Sequence, residues 1–161
     1  NKMMPRFCLT TILLCITQSI LLFGQEIPDL EGVYERVSLI NLNTGQALDP
    51  TQRGLLMMAH GYYSMMTIKP DRPVLEQGKR PEDLPKDDQI TFFQEWLKLN
   101  AHTGPYEVEG DTLIWHRDLS ENPREVGTVS RLPYQLRNNL LVIHFNLSNG
   151  SRWEWTWRKI R

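Results

Sequence analysis

Hydrophobic and polar positions along the chain fall into two regimes. From Cys8 to Phe23 runs an apolar stretch without a charged residue. From Gly32 onward, apolar residues come in short runs cut by Gly, Asn, Asp and Pro. The second regime predicts strands joined by turns. Gly32 to Leu42 reads as a first strand, turned by Asn43-Thr44-Gly45, residue types that tolerate turn angles. Arg53 to His60 reads as a second, with Gly61 ending it, and the aromatic and β-branched run Tyr62 to Lys69 as a third.

Pro70 to Asp88 breaks the pattern. Pro70, Pro73, Pro81 and Pro85 alternate with charges, which reads as a long surface loop, either functional or a solvated linker. One helix is predicted near 88–101: Ile90, Phe93, Trp96 and Leu97 recur on one face. Asp87 or Asp88 is expected to cap it, and Lys98 to sit in its last turn. The apolar stripe is expected to pack on the strands or, as a secondary reading, to cross one mouth as a lid.

More strands follow: Tyr106 to Val108, Thr112 to Leu119, Val126 to Leu136 with a bend at Pro133, and Leu140 to Leu147. The last, Arg152 to Lys159, alternates strictly. Trp153, Trp155 and Trp157 take one face, while Arg152, Glu154, Thr156 and Arg158 take the other, the mark of a half-buried antiparallel strand. Eight strands with mostly tight turns predict an all-β, eight-stranded antiparallel barrel with one helix, closed so that no edge is left unpaired. Such a barrel can fill its interior or hold one small ligand.

The first regime has another meaning. Lys2 and Arg6 precede the apolar stretch, and Gly24, Gln25, Glu26 and Pro28 end it. A basic start, an apolar core and a small residue at a polar boundary predict a signal peptide over 1–24, cleaved near Gly24/Gln25. A retained anchor is less favoured, because a spanning helix needs about 20 apolar residues. Export follows, to the periplasm or outside the cell, leaving one domain over 25–161 with no further membrane contact. Both cysteines, Cys8 and Cys15, fall inside the signal. Ile12, Leu13 and Leu14 before Cys15 lack the small residue that lipid attachment wants. The mature chain therefore has no thiol chemistry.

Charge narrows the partners further. The 161-residue chain is 40% hydrophobic and has a formal net charge of −1. Removing Lys2 and Arg6 leaves 16 basic against 19 acidic residues, or −3. No basic field exists to attract nucleic acid.

Several stretches carry a family resemblance. Gly32-Val33-Tyr34 resembles the Gly-x-Trp opening of lipocalins, with Tyr in place of Trp. The run from Gly61-Tyr62-Tyr63 to Asp71-Arg72-Pro73 is similar to the third strand and following loop of the bacterial and fungal lipocalin-like domain family. So are Gly104 to Thr112, Asn122-Pro123 through Val126-Gly127-Thr128, and the ending Trp157-Arg158. The resemblance covers nearly all of the mature chain and rests on order and spacing. It implies the barrel and a lumen, but no settled chemistry. Trp115 stands where that family often carries a first histidine, leaving His116 alone.

Candidate chemistry is sparse. His60, His102, His116 and His144 are scattered, with no His-x-His or Glu-x-x-His pair, so neither a metal nor a cofactor is expected. No Gly-x-Ser-x-Gly elbow or glycine-rich phosphate loop is present. His116, Asp118 and Tyr106 have the chemistry for acid/base work. If Tyr34 faces inward, alternation turns Arg36, Ser38 and Ile40 inward too. The resemblance implies an apolar residue at the Arg36 position. A guanidinium in a lumen must be paired, by a ligand anion or by an internal acid such as Glu107; a bulge that sends Arg36 outward is a third arrangement. The candidate lumen residues are Arg36, Ser38, Tyr62, Met66, Tyr106, His116, His144 and Trp155. The leading expectation is an exported barrel binding a small, largely apolar or amphipathic molecule. The alternatives are a metal-independent isomerase or cyclase of the same fold, or a filled barrel with a structural or interaction role.

Overall fold

The computed structural model describes residues 29–48 and 52–161. The expected signal peptide over 1–24, its cleavage near Gly24/Gln25 and both cysteines lie outside the described residues.

Among the described residues, nine strands and one α-helix follow in order: β1 (Gly32–Asn41), β2 (Arg53–Ala59), β3 (Tyr62–Ile68), α1 (Lys86–Trp96), β4 (Leu99–Glu109), β5 (Thr112–His116), β6 (Leu119–Ser120), β7 (Val129–Arg137), β8 (Leu140–Asn146) and β9 (Arg152–Lys159). Eight of the strands close a ring, β1-β2-β3-β4-β5-β7-β8-β9, with β9 returning antiparallel to β1. The two-residue β6 adds only to β4, through His102↔Ser120 and Thr103↔Leu119. The fold is thus the expected closed antiparallel barrel with one helix.

Turn lengths give the barrel two unlike ends. The short turns β2–β3, β4–β5 and β7–β8 lie at one end, where Asn138 takes a φ of 55°, a conformation asparagine tolerates better than most residues. The connections after β1, β3 and β5 are longer and all lie at the other end. The short-turn end is filled. Leu30, Tyr34, Leu56, Met58, Leu113, Leu141 and Trp157 are almost wholly buried there, each contributing roughly 1.5–3 kcal/mol by leaving water. Tyr34 donates its hydroxyl to the Leu30 carbonyl at 2.9 Å, tying the entering chain across this end. Gly32 has a φ of +147°, and a Cβ there would lie 2.5 Å from the Arg161 carbonyl oxygen, so only glycine fits the start of β1.

Four expectations change. The residues read as the end of a helix, 99–101, belong to β4, which pairs with β3 from Ile68↔Leu99 to Tyr62↔Pro105. The sheet ladder overrides the local helical period. Gly104 and Pro105 accordingly lie inside a strand rather than after a helix, and the short strand read at Tyr106 to Val108 becomes eleven residues. Neither Asp87 nor Asp88 caps α1: Pro85 is the N-cap and makes no side-chain cap. Both aspartates instead sit in the first turn, where they favour the helix dipole. Lys98 falls beyond the helix and pairs with Glu95.

The stripe on α1 does not join the core, since no residue of the helix is buried. Ile90, Phe93, Trp96 and Leu97 are exposed. Trp96 is held locally, its Nε1 donating to the Pro73 carbonyl and its ring lying under the Arg72 guanidinium at 4.1 Å. The loop before the helix supplies the packing that the sequence pattern assigned to the barrel or to a lid.

Candidate functional site

The long-connection end of the barrel holds a cavity of about 480 Å³, within the usual range for small-molecule sites. Its apolar walls include Leu39, Trp115, Leu132, Ile143, Phe145 and Trp155; Thr67 and His102 add polar atoms. Leu48, Gln52, Asn100, Arg117 and Glu125 border it as well. A more open groove of about 600 Å³ is bordered by Glu35, Leu55, Met66 and Ile160. Leu55 and Met66 are paired, exposed neighbours on the outer sheet face, and Arg36, Gln52 and Gly54 border the same groove, so it opens over the wall on the Arg36 side.

Strand register decides which side chains reach the cavity. On β3, Tyr63, Met65 and Thr67 are buried, while Tyr62 and Met66 are exposed. Opposite them on β4, His102 pairs with Met65 and shares its inward face. On β9, Trp155 and Trp157 face inward. Leu39 lies opposite Trp155, and Arg36 opposite Trp157. Two inward positions three residues apart are possible because β1 carries a bulge between Arg36 and Ser38.

The eight sequence candidates therefore separate. Trp155 lines the cavity. Arg36 turns inward: its Cβ, Thr67 Cγ2 and Trp157 Cη2 crowd the space over Gly54. Its guanidinium donates to the Gln52 carbonyl at 2.7 Å and the Leu48 carbonyl at 3.1 Å, clasping the connection that follows β1. Glu107, suggested as its internal acid, pairs instead with His116 at 3.2 Å.

Ser38 and Ile40 face outward, opposite Thr156 and Glu154, because the bulge flips the alternation. Tyr62 and Met66 face outward because β3 runs in the opposite phase to the one expected. Tyr106 packs against the filled core. His116 and His144 do not meet inside the barrel; they lie on its outer face, paired with Glu107 and Glu154 at 3.2 and 3.1 Å. Asp118 is exposed, and its amide donates to Thr103.

The group that sequence reasoning missed is centred on His102. Its Nδ1 lies 2.9 Å from the Tyr63 hydroxyl. Tyr63 stacks on Trp115, with centroids 4.4 Å apart and planes 10° from parallel. His102 stands 5.4 Å from the same indole. Burial, and then the Arg117 guanidinium, push the His102 pKa down to about 3. Burial pushes that of Tyr63 up to about 12, against the opposing pull of Arg117. Both groups are thus neutral at ordinary pH. The phenol is buried and its one described partner is Nδ1, so the two side chains share a hydrogen bond whose direction follows the imidazole tautomer.

The charges bordering the cavity are mutually engaged. Arg117 Nε faces Glu125 at 3.3 Å, and its Nη1 donates to Ser130 Oγ at 2.6 Å. Arg131 pairs with Glu109 at 2.5 Å. Among the described residues no group of three His, Cys, Asp or Glu side chains is placed to hold a metal ion.

No family model and no curated protein matches the chain. A solved structure described as a de novo designed fluorescence-activating β-barrel is similar, with a TM-score of 0.42 and 13% identity over 80% of this chain and 92% of that one.

Proposed function

We propose that this chain is an exported, lipocalin-like barrel that binds a small, largely apolar molecule in its lumen. The observation that carries the reading is the cavity of about 480 Å³ at the long-connection end, walled by Trp115, Phe145 and Trp155. A structural barrel would be filled throughout, and this one is filled at one end alone. The Tyr63–His102 pair favours binding over acid/base catalysis, because neither partner titrates near neutral pH and an effective acid or base works best with a pKa near the operating pH.

Native mass spectrometry of the protein from its own host tests the binding. A small-molecule adduct is expected on the wild type and absent from Leu39→Trp, which puts an indole into the cavity. An adduct retained by that variant would place the ligand elsewhere. Intact mass tests export: the mature chain is expected to begin near Gln25, and a mass still including Cys8 and Cys15 would refute cleavage.

A further inference from the structure

The outer wall of the barrel is not uniform. Over much of it, charges stand in opposite pairs: Glu35 with Arg158, Glu107 with His116, and Glu154 with His144. Where β2, β3 and the first half of β4 pair, the pattern changes. The strand register lays the outward residues there in rows. Three successive rows, from Leu55 to Ala101, from Met57 to Thr103 and from Ala59 to Pro105, hold no charged residue. Met66 and Tyr62, in the middle of their rows, are 49% and 60% exposed. A contiguous apolar face on an exposed wall marks an interaction surface.

Two features fit this face to a second copy of itself. The first is shape. Bulky side chains stand on β3 and compact ones beside them on β4: Met66 pairs with Ala101, and Tyr62 with Pro105. A groove of about 280 Å³ runs beside Met66, lined by Ala101, Thr103 and Leu119. A twofold axis parallel to the strands, between β3 and β4, sets Met66 of each copy over Ala101 of the other and Tyr62 over Pro105. The same axis sets β2 against the other copy's β6, so Met57 meets Leu119, which continues its row and is 67% exposed. The second feature is charge. Arg53 lies at the β2 edge of the face. Glu121 lies at the opposite edge, where its amide donates to the Ala101 carbonyl at 2.9 Å and its carboxylate accepts from the Ala101 amide at 2.8 Å. Both residues are exposed, and neither has an ion pair among the described residues. The twofold axis that seats Met66 brings Arg53 of each copy beside Glu121 of the other, once at each edge.

Beyond the lumen-binding reading and independent of it, we propose that the outer wall of β2, β3 and β4 is the interface of an isologous dimer of this chain, in which Met66 of each copy seats over Ala101 of the other. Four strands about 4.8 Å apart and rows about 7 Å apart give the contact a footprint of roughly 15 by 20 Å. A standard interface buries about 800 Å² per partner. This one is smaller, so the dimer is reversible, with a dissociation constant in the micromolar range.

Sedimentation velocity over a concentration series of the full chain, as its host processes it, tests this. The wild type is expected to be a monomer below about 1 µM and chiefly a dimer at several hundred micromolar. Met66→Lys sets an unpaired ammonium against the other copy's apolar groove and is expected to raise the dissociation constant more than about tenfold. Arg53→Glu and Glu121→Arg each bring like charges together at both edges and are expected to weaken the dimer severalfold. An equimolar mixture of these two variants restores opposite charges at both edges and is expected to regain wild-type affinity. Phe93→Ser, on the exposed stripe of α1, is the reference and should leave the equilibrium unchanged. If Met66→Lys fails to fold, the wild-type series and the mixing experiment decide. A chain that is monomeric at every concentration overturns the inference. So do a dimer that Met66→Lys leaves intact, a mixture no tighter than its components, and a ladder of larger species, which marks a head-to-tail contact. A monomeric chain that binds phosphatidylcholine vesicles and loses them with Met66→Lys gives the face to a membrane and overturns the dimer as well. Lumen binding stands or falls separately, by the native mass spectra.

Discussion

Replacing His102 by Gln should flatten the acid dependence of stability. His102 is 5% exposed and lies against Tyr63 and Trp115, with the Arg117 guanidinium close enough to disfavour its charge. Its ordinary pKa of 6.5 falls to about 3 in the folded chain. Between those values the unfolded chain binds a proton that the folded chain does not. Stability therefore rises with pH across this window. The contribution is fully present above pH 6.5 and is lost as pH falls toward 3. Each pH unit is worth about 1.4 kcal/mol, so descending from 6.5 to about 5 should cost the wild type roughly 2 kcal/mol. With a urea m-value of about 2 kcal/mol/M, the unfolding midpoint should drop by about 1 M. The replacement glutamine would still accept the Tyr63 hydroxyl through its amide oxygen and has no proton to gain. The assay is urea unfolding of both proteins at about pH 7 and about pH 5. The other three histidines and the carboxylates are common to both proteins, so the difference between the two midpoint shifts isolates His102. Parallel shifts in wild type and variant would refute the buried neutral imidazole.

Other substitutions probe the frame around the site. Gly104→Ala should cost about 3 kcal/mol or more, measured by urea unfolding. A Cβ there would lie 1.9 Å from the His116 carbonyl oxygen and 2.9 Å from the Asp118 amide nitrogen, both backbone atoms; wild-type stability would refute the close approach of β4 to the end of β5. Arg36→Met should lower the melting temperature of the ligand-free protein by about 5 °C or more, since hydrogen bonds from a charged donor are worth roughly 1.5–3 kcal/mol. An unchanged melting temperature would refute the clasp on Leu48 and Gln52. Phe93→Ser should change stability by less than about 0.5 kcal/mol, because α1 contributes nothing buried; a large loss would show the helix stripe packed after all.

The barrel was legible because its evidence is local and repeated. The alternation of Trp153, Trp155 and Trp157, the turn at Asn138-Asn139 and the Gly32 start each follow from near neighbours. Lumen membership was less legible, because it depends on strand phase. In β2 and β3 both faces carry apolar residues: Leu55 and Leu56, Met57 and Met58, Met65 and Met66. A one-residue change of phase exchanges the faces, and no residue in those strands marks the inner one. The bulge after Arg36 did the same within β1. His102 stayed hidden because it directly follows the segment read as a helix, and only its ladder to Met65 makes it a strand residue facing the lumen.

The two ends of the barrel have complementary energetic roles. At the short-turn end, Tyr34, Leu56, Met58, Leu113, Leu141 and Trp157 form a dense core with the Leu30 plug. At the other end the wall stops short of filling the lumen and leaves the cavity bordered by Leu39, Phe145 and Trp155. Buried indole N–H groups without an acceptor among the described residues occur at both ends, on Trp157 as on Trp115 and Trp155, each costing roughly 1–3 kcal/mol. A ligand in the cavity adds its own burial, so it stabilises the folded chain by mass action. The melting temperature of the protein should therefore rise with the concentration of a small apolar probe such as prodan, and rise less in Leu39→Trp, whose indole would fill the cavity. A rise of equal size in wild type and Leu39→Trp would mean that the probe is held outside the cavity, and that the unfilled end belongs to the architecture rather than to recognition.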